Sequence, residues 1–128
     1  MISTPANPLV HIELHTDNLP RACASYTRLF GWSTNMIRAA SGCYLALDLG
    51  AAIGGGVVES ESEHPMWLPY VEVTDVAECT DRARALGASV SLEPREGPAG
   101  WRSVIAVPAG AQVALWQTKS KSPGKEPG

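Results

Sequence analysis

The stretch LVHIELHTDNLPRACASYTRLFG, residues 9–31, decides the fold. Up to Thr16 it alternates: Ile12, Leu14 and Thr16 fall on one face, and His11, Glu13 and His15 on the other. That is the period of a half-buried strand. Asn18 is suited to cap a helix, and Pro20 is tolerated in a first turn, where its missing N–H costs little. Leu19, Ala22, Cys23, Tyr26, Leu29 and Phe30 then recur at helical spacing as one apolar stripe. Gly31 supplies the left-handed residue on which helices end. Three short strands are expected next, at about 32–39, 43–49 and 51–58, with breaks at "SG" and "LG".

The second half repeats this order. "WLPYVEV", residues 67–73, alternates Pro69, Val71 and Val73 against Leu68, Tyr70 and Glu72. Asp75 caps a helix, with Glu78 placed as in a capping box. Val76, Cys79, Thr80, Ala83 and Leu86 form its inward stripe, and Gly87 stops it. Strands are expected at about 88–93, 101–107 and 111–117, with "EPREGPAG", residues 93–100, as an exposed loop. Asn18 matches Asp75 and Leu29 matches Leu86, an offset of 57, while Gly50 matches Gly110 at 60. The expected architecture is therefore α+β: a βαβββ module at about 8–58, a polar linker at 59–66, and a second module at about 67–118. His64 falls in the linker and reads as a solvated side chain. Residues 119–128 read as a loose tail.

Composition sets the outer limits. The 128 residues suffice for one compact domain with a core, and 45% hydrophobic with 18% charged residues is ordinary for a globular protein. A net charge of −3, with no basic run before "KSKSPGK", argues against a nucleic-acid partner. No window approaches the ~20 apolar residues of a membrane span. "MISTPANP" has neither the basic nor the apolar region of a secretory signal, so the expected location is the cytoplasm. Cys23, Cys43 and Cys79 have no metal-ligand or redox spacing, and they read as small hydrophobes. "AAIGGG", residues 51–56, lacks the lysine and the strand–turn–helix order of a phosphate loop; its missing side chains let a sheet bend and leave room above it. No nucleophile elbow or Cys–His pair points to covalent catalysis.

With the repeat established, the chain resembles the vicinal oxygen chelate superfamily, which includes glyoxalase I, bleomycin-resistance proteins and extradiol dioxygenases. "HIELHTDNLPRACASYTRLFGW", "WLPYVEVTDVAECTDRARALGASV" and "PAGAQVALWQ" carry the resemblance, over roughly residues 8–118. It implies two modules whose curved mixed sheets form a cup, with the helices outside and the ligand inside. Short members commonly form homodimers, so a homodimer is expected here. Metal-dependent members place ligands on the first and last strands of the modules. The corresponding positions are His11, Leu68, Gly54 and Ala114, of which His11 alone has a ligating side chain. The resemblance therefore implies no metal and no cofactor. A site rebuilt from His11 and Glu13 is conceivable, since neighbours on one strand face stand about 7 Å apart, whereas His15 falls about 13 Å from His11.

On this reading His11, Glu13, Tyr70, Glu72, Gln112 and Trp116 face the cup, and Trp67 and Trp101, with Trp32, rim it. Such a site suits an aromatic or amphipathic small molecule, an antibiotic among the candidates. His11 and Glu13 equally suit acid/base catalysis without metal, of the isomerase, cyclase or dehydratase type. Binding and catalysis both stay open at this point. A metal-dependent lyase or dioxygenase is the weaker reading.

Overall fold

The computed structural model describes residues 7–39, 42–50, 53–59, 66–97 and 99–119. Among the described residues, eight strands and two helices run in the order β1 (Leu9–Thr16), α1 (Leu19–Phe30), β2 (Ser33–Ala39), β3 (Gly42–Asp48), β4 (Gly54–Glu59), β5 (Met66–Glu72), α2 (Val76–Ala85), β6 (Ser89–Glu96), β7 (Gly100–Ala106) and β8 (Gln112–Thr118). Strand pairing is mixed, so the class is α+β, and βαβββ occurs twice. The chain forms two compact units, Leu9–Tyr70 and Val71 onward, the second including the N-terminal segment through Pro8. The linker residues 60–65, with His64, the tail 120–128 and the side chain of Cys43 lie outside the described residues.

In the first unit the strand order is β2-β3-β4-β1-β5. β1 and β4 run parallel, with His11 opposite Gly54 and Glu13 opposite Gly56. β2, β3 and β4 are joined antiparallel. The Asn18 side chain accepts from the Arg21 amide to start α1, and Gly31, at φ 73°, ends it. Leu14, Leu47 and Val57 make the core beneath α1, with Leu19, Ala22, Cys23 and Tyr26 packed onto it. Burial pushes the Cys23 thiol up, away from the reactive thiolate, which suits a packing role.

In the second unit β8, β7 and β6 lie in that order. The Asp75 carboxylate accepts from the Glu78 amide at the head of α2. Val73, Val76, Ile105 and Leu115 form the core, with Cys79 and Ala83 of α2 against it. The Thr80 hydroxyl bonds the Val76 carbonyl at 2.6 Å and Ser103 Oγ at 2.8 Å, so this buried polar pair is satisfied.

The structure corrects several expectations. The outer ends of both helical stripes are not buried: Leu29 is 71% exposed, Phe30 58% and Leu86 77%. Each lies in or just beyond the last turn, where the following glycine turns the chain away before any strand covers the stripe. Phe30 instead meets the rings of Tyr26 and Trp32, at 6.0 and 5.0 Å between centroids. Residues 93–96 are strand, not loop. β6 is an edge strand, where proline is tolerated, and its register shifts either side of Leu92 absorb the irregularity around Pro94. The strand expected at 51–58 begins at Gly54, and residues 51–52 lie outside the described ones.

Candidate functional site

Alternation along β1 turns Leu14 and Thr16 toward α1 and leaves His11, Glu13 and His15 on the opposite face. Both imidazoles lean toward the carboxylate between them. His15 Nε2 lies 2.9 Å from Glu13 Oε1, and His11 Nε2 lies 3.7 Å from Glu13 Oε2. Tyr70, from β5 in the same unit, donates its hydroxyl to Glu13 Oε1 at 2.9 Å. Its ring meets the His11 imidazole edge-on, 5.1 Å between centroids at 85°. Tyr70 is only 5% exposed, and the Glu13 side chain 12%, against 25% for each histidine. One carboxylate thus sits below two partly open imidazoles.

Burial by itself raises the Glu13 pKa. The contacts with His11, His15 and Tyr70, and the charge of His15, outweigh that penalty and hold the carboxyl well below its ordinary range. An ionised carboxylate only accepts hydrogen bonds, so His15 Nε2 carries the proton it shares with Glu13. Glu13 is therefore a poor proton carrier near neutrality and a strong orienting group for imidazoles. Spacing along the strand had kept His11 and His15 about 13 Å apart. Side-chain lean, which backbone spacing does not register, brings both to one carboxylate.

Gly54 is exposed beside this cluster. A Cβ built there would stand 3.0 Å from His11 Nδ1, so glycine leaves that nitrogen uncovered.

The other residues singled out from sequence lie elsewhere. Trp67 packs in the core beneath α1, with Tyr26 at 5.4 Å and Trp32 at 6.3 Å between ring centroids, on the face opposite Tyr70. Trp101 packs against the core beneath α2, with Lys119 Nζ 5.6 Å from its ring centroid. A rim is not where the structure places these two tryptophans. Within the second unit, Trp116 donates its indole N–H to Thr118 Oγ1, and the Thr118 hydroxyl donates to Glu72 Oε2 at 3.2 Å. Gln112 donates to Ser91 Oγ on β6. A cavity of about 460 Å³ opens beside α2, lined by Val73, Glu78, Arg82, Leu86 and Pro108 among others, and none of His11, Glu13, His15 and Tyr70 lines it. Its Asp75 carboxylate is engaged in capping α2.

Sequence reasoning placed His11, Glu13 and Tyr70 on facing positions but did not connect Tyr70 to Glu13. The signal was present: they are 57 residues apart, the repeat offset, and so occupy equivalent sites on the first strands of the two modules. At the positions that the resemblance assigns to metal ligands, Leu68 is 5% exposed, Ala114 is fully buried, and Gly54 has no side chain. Only His11 offers a donor there. This set does not fit a divalent ion, which needs several N, O or S ligands. Among the described residues, no three His, Cys, Asp or Glu side chains are arranged to hold a metal. Nor is any helix among them long and apolar enough to cross a membrane.

No family model matches the chain. It is 31% identical over 114 residues to "Putative glyoxylase CFP32" of Mycobacterium bovis, and equally to the protein of that name in Mycobacterium tuberculosis. The match covers 83% of this chain and 44% of each relative, so the chain spans under half the length of these curated proteins. Among solved structures, it superposes on methylmalonyl-CoA epimerase from Mycobacterium tuberculosis with a TM-score of 0.67, at 18% identity, covering 94% of this chain and 95% of that one. A hypothetical protein, BH1468 from Bacillus halodurans, gives 0.68 at 14% identity, covering 92% and 99%. The tandem βαβββ order and these superpositions agree on the fold, which is the one implied by the sequence's resemblance to the vicinal oxygen chelate superfamily.

Proposed function

We propose that the partly open face of β1 carrying His11, Glu13 and His15 binds a small organic molecule and moves a proton on it without a metal ion. The observation that carries this reading is the largely buried Glu13 carboxyl with His15 at 2.9 Å, His11 at 3.7 Å and Tyr70 at 2.9 Å. A carboxylate beside an imidazole fixes its tautomer and its orientation, which is how a histidine is set up as an acid/base group. Glu13 serves as the anchor, His11 and His15 exchange the proton, and Tyr70 holds the anchor. The reaction class that fits is proton removal next to a carbonyl, as in an isomerase, cyclase or dehydratase. The fold neighbours named methylmalonyl-CoA epimerase are consistent with that class, since epimerisation inverts a centre by removing and returning a proton.

The test is solvent deuterium exchange into a panel of small ketones, 2-oxo acids and thioesters, with protein exhaustively treated with chelator. Exchange that survives chelation and falls at least ~100-fold in His11→Ala is expected, the range that acid/base groups contribute. Exchange that vanishes on chelation and returns with a divalent ion contradicts the proposal.

Sequestration of an organic cation, an antibiotic included, is the second reading, and the buried negative charge of Glu13 favours it. Tight binding of such cations without turnover, lost in Glu13→Gln, distinguishes it from catalysis.

A further inference from the structure

His11 has two ring nitrogens, and the structure gives them different surroundings. Nε2 faces the Glu13 carboxylate at 3.7 Å, on the oxygen that Tyr70 and His15 leave free; both of those contacts fall on Oε1. Nδ1 faces the paired strand, where Gly54 stands directly opposite His11 in the parallel register. Any residue other than glycine would put a Cβ 3.0 Å from Nδ1, closer than ordinary packing allows. The other neighbours of that Cβ position, Val10 O at 3.7 Å and His11 Cε1 at 3.9 Å, stand at ordinary contact distance, so the close approach is to Nδ1. Gly54 itself is exposed. The φ of Gly54 is not positive, so no turn requires a glycine there. What glycine provides at 54 is space.

We propose that His11 works through Nδ1, which accepts a proton from a ligand lying over Gly54, and that Gly54 decides which ligands reach it. The carboxylate next to Nε2 draws the imidazole proton to that nitrogen and leaves the Nδ1 lone pair directed at the gap. The ligand atom then occupies the volume where a side chain at position 54 would stand. Its class is a small carbonyl compound presenting an acidified C–H, or the O–H of the corresponding enol. The proton passes to Nδ1, the carbanion pair delocalises onto the carbonyl oxygen as an enolate, and His11 becomes an imidazolium paired with Glu13. Gly54 is a specificity-determining residue in this scheme and touches no proton.

This assignment rests on the proposed acid/base reading, yet it is tested without any ligand. In the full chain labelled with ¹⁵N-histidine, long-range ¹H–¹⁵N spectra of the neutral imidazole report which nitrogen is protonated. The proposal expects His11 as the Nε2–H tautomer, with Nδ1 bare. Acylation of His11 by diethylpyrocarbonate, read by peptide mass mapping, is expected to slow several-fold in Gly54→Ala, with His15 in the same molecule reacting at the wild-type rate. A His11 Nδ1–H tautomer overturns the proposal, as does equal His11 reactivity in the wild type and Gly54→Ala. The tautomer measurement uses the wild type alone and stands even where the variant folds poorly. Failure of deuterium exchange with these two results intact refutes the acid/base reading, not the assignment of the open nitrogen.

Discussion

The two modules share one order of elements but differ at matched positions. On their first strands, His11, Glu13 and His15 of β1 correspond at the 57 offset to Leu68, Tyr70 and Glu72 of β5. β1 therefore carries three titratable side chains on one face, whereas β5 offers a buried leucine, a tyrosine bonded to Glu13, and a glutamate bonded to Thr118. Beneath the helices the contrast reverses. α1 has no fully buried residue, while α2 buries Val76 and Thr80 and ties Thr80 to Ser103. A duplicated frame lets one copy carry the costly polar cluster while the other is free to pack. Tyr70 shows how the strand β5 serves that cluster: the residue matched to Glu13 is the one that holds it.

The comparison can be broken first at the cores. Leu14→Ala in the first unit and Leu115→Ala in the second each remove a buried side chain and are expected to cost about 2–5 kcal/mol in urea unfolding. A negligible cost in either unit would mean that its core is not what the burial shows. Next in size is Tyr70→Phe, which strips a buried hydroxyl from the ionised Glu13 and is expected to cost about 1–3 kcal/mol. Two residues along the same strand, Glu72→Gln disturbs an exposed bond to Thr118, and a cost below about 1 kcal/mol is expected. Equal costs would erase the proposed difference between these neighbouring positions.

Acidity sharpens the contrast further. Because the folded state holds Glu13 below its ordinary value of 4.5, its stabilisation is fully present above that pH and is lost as pH falls toward the folded value. The stability gap between wild type and Glu13→Gln should therefore be widest near neutrality and close in acid. A gap that widens on acidification would reverse the sign and refute the arrangement. The smallest effects belong to the helix ends: Leu29→Ser and Leu86→Ser, both largely exposed, should stay within about 0.5 kcal/mol of wild type in thermal unfolding.

Most of the fold was legible because its signals are local. Alternation over residues 9–16, the Asn18 and Asp75 caps, and Gly31 and Gly87 after the helices mark elements whose causes lie within a few residues, and the repeat supplied their order. The helix ends misled because periodicity shows which face a residue occupies but not how far the underlying sheet extends, so Leu29 and Leu86 read as core. Pro94 misled for the opposite reason: a turn signal in isolation is tolerable on an edge strand, and sequence does not show which strand is an edge. For the site, the residue types on β1 were visible and their convergence was not. Strand spacing fixes Cα atoms, whereas the contacts at 2.9 and 3.7 Å depend on rotamers. Trp67 and Trp101 were expected at a rim because they lie near strand ends, yet they pack against the cores beneath the helices.

The central claim is that Glu13 is an anchor held ionised well into acid between His11, His15 and Tyr70. Its most direct test is a ¹³C carboxyl titration of Glu13 by NMR in the intact protein. The account predicts a midpoint well below 4.5, moving upward in Tyr70→Phe. A midpoint at or above 4.5 would make Glu13 an ordinary or proton-carrying acid and contradict the site as described.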